Sequence, residues 1–153
     1  MCENYGVCAR EMISLVSVTL ALITWVATVA MKIRSEKKKH TIDLISQFQS
    51  NDGIYKSDLS MALRIKNNEK PKSGNMDIKS EETLIRLLDY YEFIATSVRE
   101  KYIIYDIVKH LRGGAIFSAF ELSQSYIVER RLALDRPELY LNFEWLYHSL
   151  KKN

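Results

Sequence analysis

The chain has 153 residues and a formal net charge of +3, with 22 Lys and Arg against 19 Asp and Glu. That near-balance excludes a polyanion binder acting through its bulk field. Five Gly and two Pro speak against a β-sandwich and for helices. The 47% hydrophobic content is unevenly spread, because Met12–Met31 holds no charged residue while the remainder mixes both signs throughout. The part after Met31 is long enough to bury a core without disulfides.

The first predicted element is the run Met12–Met31, MISLVSVTLALITWVATVAM. As a helix it rises about 30 Å, the hydrocarbon thickness of a bilayer, so it is read as a transmembrane helix. A cleaved signal peptide would have a basic start and a shorter apolar stretch. Here Glu3, Arg10 and Glu11 stand before the run, although Thr28 and Ala30 imitate a cleavage site. Both cysteines, Cys2 and Cys8, precede the span, and the remainder has none. A cysteine-free domain suits a reducing compartment, and whether Cys2 and Cys8 are bonded stays open.

The flanks set an orientation. Lys32, Arg34, Lys37, Lys38 and Lys39 follow the span against a single acid, Glu36, whereas Arg10 is the lone basic residue ahead of it. Lys and Arg are retained on the cytoplasmic side. The expectation is a single-pass protein of a bacterial inner membrane, with residues 1–11 outside, a basic juxtamembrane segment at 32–40 and a cytoplasmic domain at 41–153. The same cluster lies against anionic headgroups, each charge adding about 1 kcal/mol of attraction. Aromatic residues do not interleave it, so direct nucleic-acid binding is not expected of it.

Within the span, Ser14, Ser17, Ala21, Thr24 and Thr28 are spaced 3, 4, 3 and 4. This seven-residue repeat places small or hydroxyl side chains along one helix face. In lipid, helices associate through close backbone approach and interhelical hydrogen bonds, for which such residues are suited. The stripe is therefore read as a helix–helix seam or the lining of a pore made from several copies. The competing reading is that Ser and Thr bond their own backbone.

The following domain is expected to be an all-α bundle of about five helices. A short helix covers Thr41–Ser50, with Ile42, Ile45 and Phe48 on one face and Leu44 beside them, and Asn51-Asp52-Gly53 marks a turn. A second covers Ser57–Lys66, and the polar stretch Asn67–Lys79 reads as a loop. Ser80 is placed as the cap of the strongest helix, with Glu81 and Glu82 at its positive end. Leu84, Leu87, Leu88, Tyr91, Ile94, Ala95 and Val98 recur in it at helical spacing. A further helix at Ile103–Arg112 is expected to end at Gly113-Gly114. Another covers Ala115–Arg130, with Ile116, Phe117, Phe120 and Ile127 apolar. The last is expected to begin around Asp135 and Pro137, with Leu139, Phe143, Leu146, Tyr147 and Leu150 forming its apolar side.

Chemistry is sparse. There is no nucleotide-binding glycine motif. His40, His110 and His148 lack metal-ligand spacing, so no metal or other cofactor is expected. Asp89, Glu92 and Glu144 sit beside aromatics and read as capping or ion-paired residues that order a bundle. Small helical RNases of the HEPN class carry an Arg, four to six residues and then a His, supplying a phosphate cation and a proton-transfer group. The pair in range here is Arg34 and His40, inside the basic run, so no catalytic residue is assigned and no enzyme activity is expected.

The runs Leu87–Ala95, LLDYYEFIA, and Tyr140–Leu146, YLNFEWL, resemble a bacterial single-pass membrane family of unknown function. The matched positions include Tyr91, Glu92, Asn142, Phe143, Glu144 and Trp145. The architecture is also similar to the membrane accessory proteins of type VI-B CRISPR systems. That resemblance implies a homo-oligomeric ring with a membrane pore, an RNA-guided effector protein as partner and a degenerate HEPN-like site. The expected function is thus a pore-forming or membrane-perturbing accessory in antiviral defence. The alternatives are a passive membrane adaptor whose helical domain binds a protein, and a membrane-tethered RNase.

Overall fold

In the computed structural model the backbone is described for residues 3–50 and 77–152, and side chains for 12–47 and 77–152. The described residues form four helices and no strand: α1 at Glu3–Ser50, α2 at Ile78–Arg99, α3 at Tyr105–Ala133 and α4 at Leu141–Lys151. Among the described residues the all-α expectation holds, with four helices where about five were expected after the apolar run. The expected Asn51-Asp52-Gly53 turn, the Ser57–Lys66 helix, most of the Asn67–Lys79 loop and the thiols of Cys2 and Cys8 lie outside the described residues. The chain divides into two units, Met1–Lys37 and Lys38–Asn153.

The first unit is the N-terminal part of α1. Among the described residues, one helix is long and apolar enough to cross a membrane, and none of its apolar window is buried inside the protein. The expected separate helix at Thr41–Ser50 is instead the end of α1. Lys32–Thr41 contains neither Gly nor Pro and is rich in Lys, Arg and Glu, so nothing in it stops helix propagation.

The second unit has a core built from all four helices. Ile45 is the α1 contribution, while Leu44 packs against the core and Ile42 is left exposed, contrary to its expected place on the buried face. Thr41 is also fully buried, and its hydroxyl accepts a 3.2 Å hydrogen bond from the Ile104 amide. Ile104 begins α3 without a side-chain cap of its own, so Thr41 gives a partner to a donor stranded at that helix start.

α2 buries every residue that the periodicity assigns to its core face, and Tyr90 and Ser97 besides. Its N-cap is Asp77, whose carboxylate accepts from the Ser80 amide at 3.2 Å; Ser80 is a recipient of the cap and not its source. An Asp three residues ahead of that amide meets the same need as the expected Ser.

α3 runs unbroken through Gly113-Gly114 and joins two expected helices into one. Each interior Gly costs about 1 kcal/mol relative to Ala. Tertiary packing offsets this through Ile116, Ala119, Phe120, Leu122, Tyr126 and Ile127, all buried beyond the pair. At Gly113 an added Cβ would lie 3.6 Å from Leu150 Cδ2, and at Gly114 it would meet open space.

α4 begins at Leu141, later than the Asp135–Pro137 signal suggests. The link before it folds as turns, with Asp135 at φ 50° and Tyr140 at φ 60°. Left-handed Tyr140 cannot continue a helix backwards. Arg131 holds this link, donating from Nε to the Leu139 carbonyl at 2.8 Å and from Nη2 to Glu144 at 2.8 Å. The apolar side of α4 is as expected: Phe143, Leu146 and Tyr147 are buried, with Leu139 and Leu150 packed on the core. An aromatic chain fills the centre. Tyr91 stacks on Phe143 at 5.2 Å, Phe143 meets Phe120 edge-on at 5.2 Å, and Phe120 stacks on Tyr147 at 4.5 Å.

Candidate functional site

The sequence singles out three groups of residues: the span stripe, the basic cluster and the paired motifs of α2 and α4. In the apolar stretch of α1, the large apolar side chains are 37% exposed at Val29 and 70% at Ile13, with the others between. A helix apolar all round with no protein packed on it has the surface of a membrane span or of a segment enclosed by other copies. Within the stripe, Ser17 donates to the Ser14 carbonyl at 2.8 Å, Thr24 to Ala21 at 2.9 Å and Thr28 to Thr24 at 2.7 Å. These hydroxyl protons are satisfied inside their own helix, as the competing reading of the stripe requires. This face therefore offers another helix close approach over Ala21 and the small hydroxyl residues, and no new donated bonds from Ser17, Thr24 and Thr28.

Lys32, Arg34, Lys37, Lys38 and Lys39 are all exposed. His40 is exposed as well, so Arg34 and His40 stand on open helix surface and not in a cleft. His110 is exposed, with Nδ1 2.7 Å from the Asp106 carbonyl, and exposed His148 lies edge-on to Tyr147 at 5.2 Å. Among the described residues, no group of three His, Cys, Asp or Glu side chains is placed to hold a metal ion.

The motif residues converge on one joint, between α2 and the start of α4. Glu92 Oε1 accepts from the Asn142 amide at 3.3 Å and from Asn142 Nδ2 at 2.9 Å. Glu92 Oε2 accepts from the Phe143 amide at 2.7 Å. A carboxylate on one helix thus caps the N-terminus of another, where Tyr140 supplies no side-chain cap. Asn142 is held further by Thr96 Oγ1 at 3.0 Å and by Arg99 Nη1, which donates to its Oδ1 at 2.9 Å. Tyr91 stacks on Phe143 just below. Glu144 pairs with Arg131, and Arg99 lies 5.8 Å over the Trp145 ring. The side chains of Glu92, Asn142 and Glu144 are engaged in joining helices, which agrees with reading Glu92 and Glu144 as capping and ion-paired residues.

Two further networks brace α2. Tyr126 donates to Glu81 at 2.8 Å and accepts from Arg130 at 2.8 Å. Burial first, then the bond to Glu81, pushes the Tyr126 hydroxyl up to about 12, with Arg130 opposing. Tyr140 donates to Asp89 at 2.9 Å, and burial followed by that carboxylate holds its hydroxyl above the usual tyrosine range.

One open groove of about 430 Å³ escaped the sequence reading. Val98, Tyr105 and Trp145 line it, together with Arg99, Lys101 and Lys152. Its parts come from the end of α2, the start of α3 and the end of α4, so no local motif marks it.

No curated protein and no solved structure matches the chain. One family model does, over residues 11–150, a length that takes in the apolar run Met12–Met31 and both motif runs. The chain belongs to the DUF4760 family, a domain of unknown function.

Proposed function

We propose that this protein is a self-associating inner-membrane protein with its helical domain in the cytoplasm, acting as a pore-forming or membrane-perturbing accessory. The observation that carries the reading is the exposed apolar stretch of α1, in which Ser14, Ser17, Ala21, Thr24 and Thr28 keep a seven-residue register. The basic cluster Lys32–Lys39 supports the orientation. A role in antiviral defence beside an RNA-guided effector rests on the architectural resemblance alone.

The test is substitution of Ser17, Ala21 and Thr24 together by Leu. The variant should run at a smaller size in mild detergent and lose any permeabilisation of vesicles. Changing Leu15, Leu22 and Val29 to Ile should do neither. A wild-type chain that is monomeric in several mild detergents and in native membranes would sink the reading.

One observation favours a second reading, a passive adaptor. The stripe hydroxyls of Ser17, Thr24 and Thr28 already donate to their own helix, which leaves a weaker drive for span association. A monomeric span with an intact helical domain is the outcome that this reading requires.

A further inference from the structure

The side of α3 that faces away from the core has a composition unlike that of a solvated helix face. Gly114, Ser118, Glu121, Ser125, Val128 and Leu132 follow one another at alternate spacings of four and three. That register keeps them on one side of the helix. Gly114 and Glu121 are exposed, Ser118 and Ser125 are half-buried, and Val128 and Leu132 are 48% and 79% exposed. Glu121 is the single charge among the six. The outward side of α2 shows the ordinary alternative: Glu82, Arg86 and Asp89 are exposed there, and Arg86 pairs with Glu82.

Gly114 sharpens the contrast. Glycine is unfavourable inside a helix. At Gly113 an added Cβ would touch Leu150 Cδ2 at 3.6 Å, whereas at Gly114 it would meet open space. No contact within the chain accounts for the missing side chain at Gly114. A glycine on an open helix face leaves room for a group from outside to come close to the backbone.

The sizes along this face are ordered. The small residues Gly114 and Ser118 come first, and the large apolar residues Val128 and Leu132 come last. Two α3 helices laid antiparallel bring Gly114 of each copy to Leu132 of the other, Ser118 to Val128, and Glu121 to Ser125. Small meets large in the outer layers, as close packing requires, and the carboxylate faces a small neutral residue. A parallel pair fits on neither count. It sets Gly114 against Gly114 with a void between them, crowds Leu132 against Leu132, and opposes Glu121 to Glu121, a repulsion between like charges. Volume and charge thus both select a second copy in the antiparallel sense.

We infer that this face of α3 docks a second copy of the chain, antiparallel, about a two-fold axis that passes beside Gln124. The contact is isologous, with the same patch used on both copies. It is separate from the stripe in α1 and does not depend on association through that stripe.

Cross-linking of single-cysteine chains tests the pairing. Cys2→Ser and Cys8→Ser remove the native thiols, and Gln124→Cys is added at an exposed position beside the axis. The full-length protein in mild detergent should give a covalent dimer with a short bismaleimide. Leu132→Cys in place of Gln124→Cys should give far less, because the two copies of that position stand about 27 Å apart, the rise of the stretch between Gly114 and Leu132. Adding Gly114→Leu to the Gln124→Cys chain should lower the dimer fraction about tenfold, the scale of one overpacked layer. Far-UV ellipticity should not change, since the new side chain meets open space within its own copy. Leu132→Ala in the same chain should restore the dimer by exchanging large and small across that layer. The Gln124→Cys cross-link should persist when Ser17, Ala21 and Thr24 are all Leu. No cross-link at Gln124→Cys would overturn the inference and leave this face to a different protein. Equal cross-linking at Leu132→Cys, indifference to Gly114→Leu, or loss of the cross-link in the α1 variant would each overturn it as well.

Discussion

Glu92→Ala removes the acceptor for three N–H donors at the start of α4, the Asn142 and Phe143 amides and Asn142 Nδ2. Loss of a helix cap costs about 0.5–2 kcal/mol. Bonds to a charged acceptor are stronger than neutral ones, each contributing about 1.5–3 kcal/mol. Glu92 is half-buried, so water replaces part of what is lost, and a total near 3 kcal/mol is reasonable for the joint. For a domain of this size, that corresponds to a fall in Tm of roughly 12 °C. The assay is thermal unfolding of the full chain in mild detergent, followed by far-UV ellipticity. Glu92→Gln should fall between, since its amide nitrogen turns a donor toward a donor. The double variant Glu92→Ala, Asn142→Ala should lose less than the sum of the single changes, because the two side chains share bonds. A Glu92→Ala midpoint within about 2 °C of wild type would refute the account, because it would mean that the joint contributes well under 1 kcal/mol.

Three other outcomes follow from the same structure. A reporter active only in the periplasm, fused after Asn153, should be silent, and strong activity would reverse the orientation. Gly114→Ala should stabilise α3 by about 1 kcal/mol in chemical denaturation, because its new Cβ meets open space; destabilisation would mean that the glycines end a helix after all. The raised Tyr126 hydroxyl contributes stability that is complete below its ordinary value of 10.0 and is lost as pH rises toward about 12. Unfolding on alkaline titration should therefore set in above pH 10, and Tyr126→Phe should flatten that limb; an identical limb in the variant would refute the role of this hydroxyl.

The motif joint also explains why two runs of sequence fifty residues apart read as a signature without revealing chemistry. Their polar members Glu92 and Asn142, with Thr96 and Arg99 just beyond the first run, satisfy one another across the α2–α4 contact. Their aromatic members, Tyr91 and Phe143, pack beneath it. The joint sits at the start of α4, the helix whose Trp145 lines the groove.

What the sequence determined by itself was whatever depends on spacing along one helix. The uncharged run Met12–Met31 marks an apolar helix because composition sets its preference for lipid or water. Leu84, Leu87, Leu88, Tyr91, Ile94, Ala95 and Val98 identify the buried face of α2, and all are buried, because a helix returns to the same side every three or four residues. Tertiary structure alone decided where helices end and which polar groups meet. Gly113-Gly114 carries a local stop signal, yet α3 passes through it, since the apolar face continuing beyond outweighs a cost of about 1 kcal/mol per glycine. α4 starts at Leu141 because its cap, Glu92, arrives from another helix, and a cap fifty residues away leaves no trace in local pattern. The groove follows the same logic: Arg99, Lys101, Tyr105, Trp145 and Lys152 are ordinary helix-end residues in sequence, and only the packing of three helix ends brings them together.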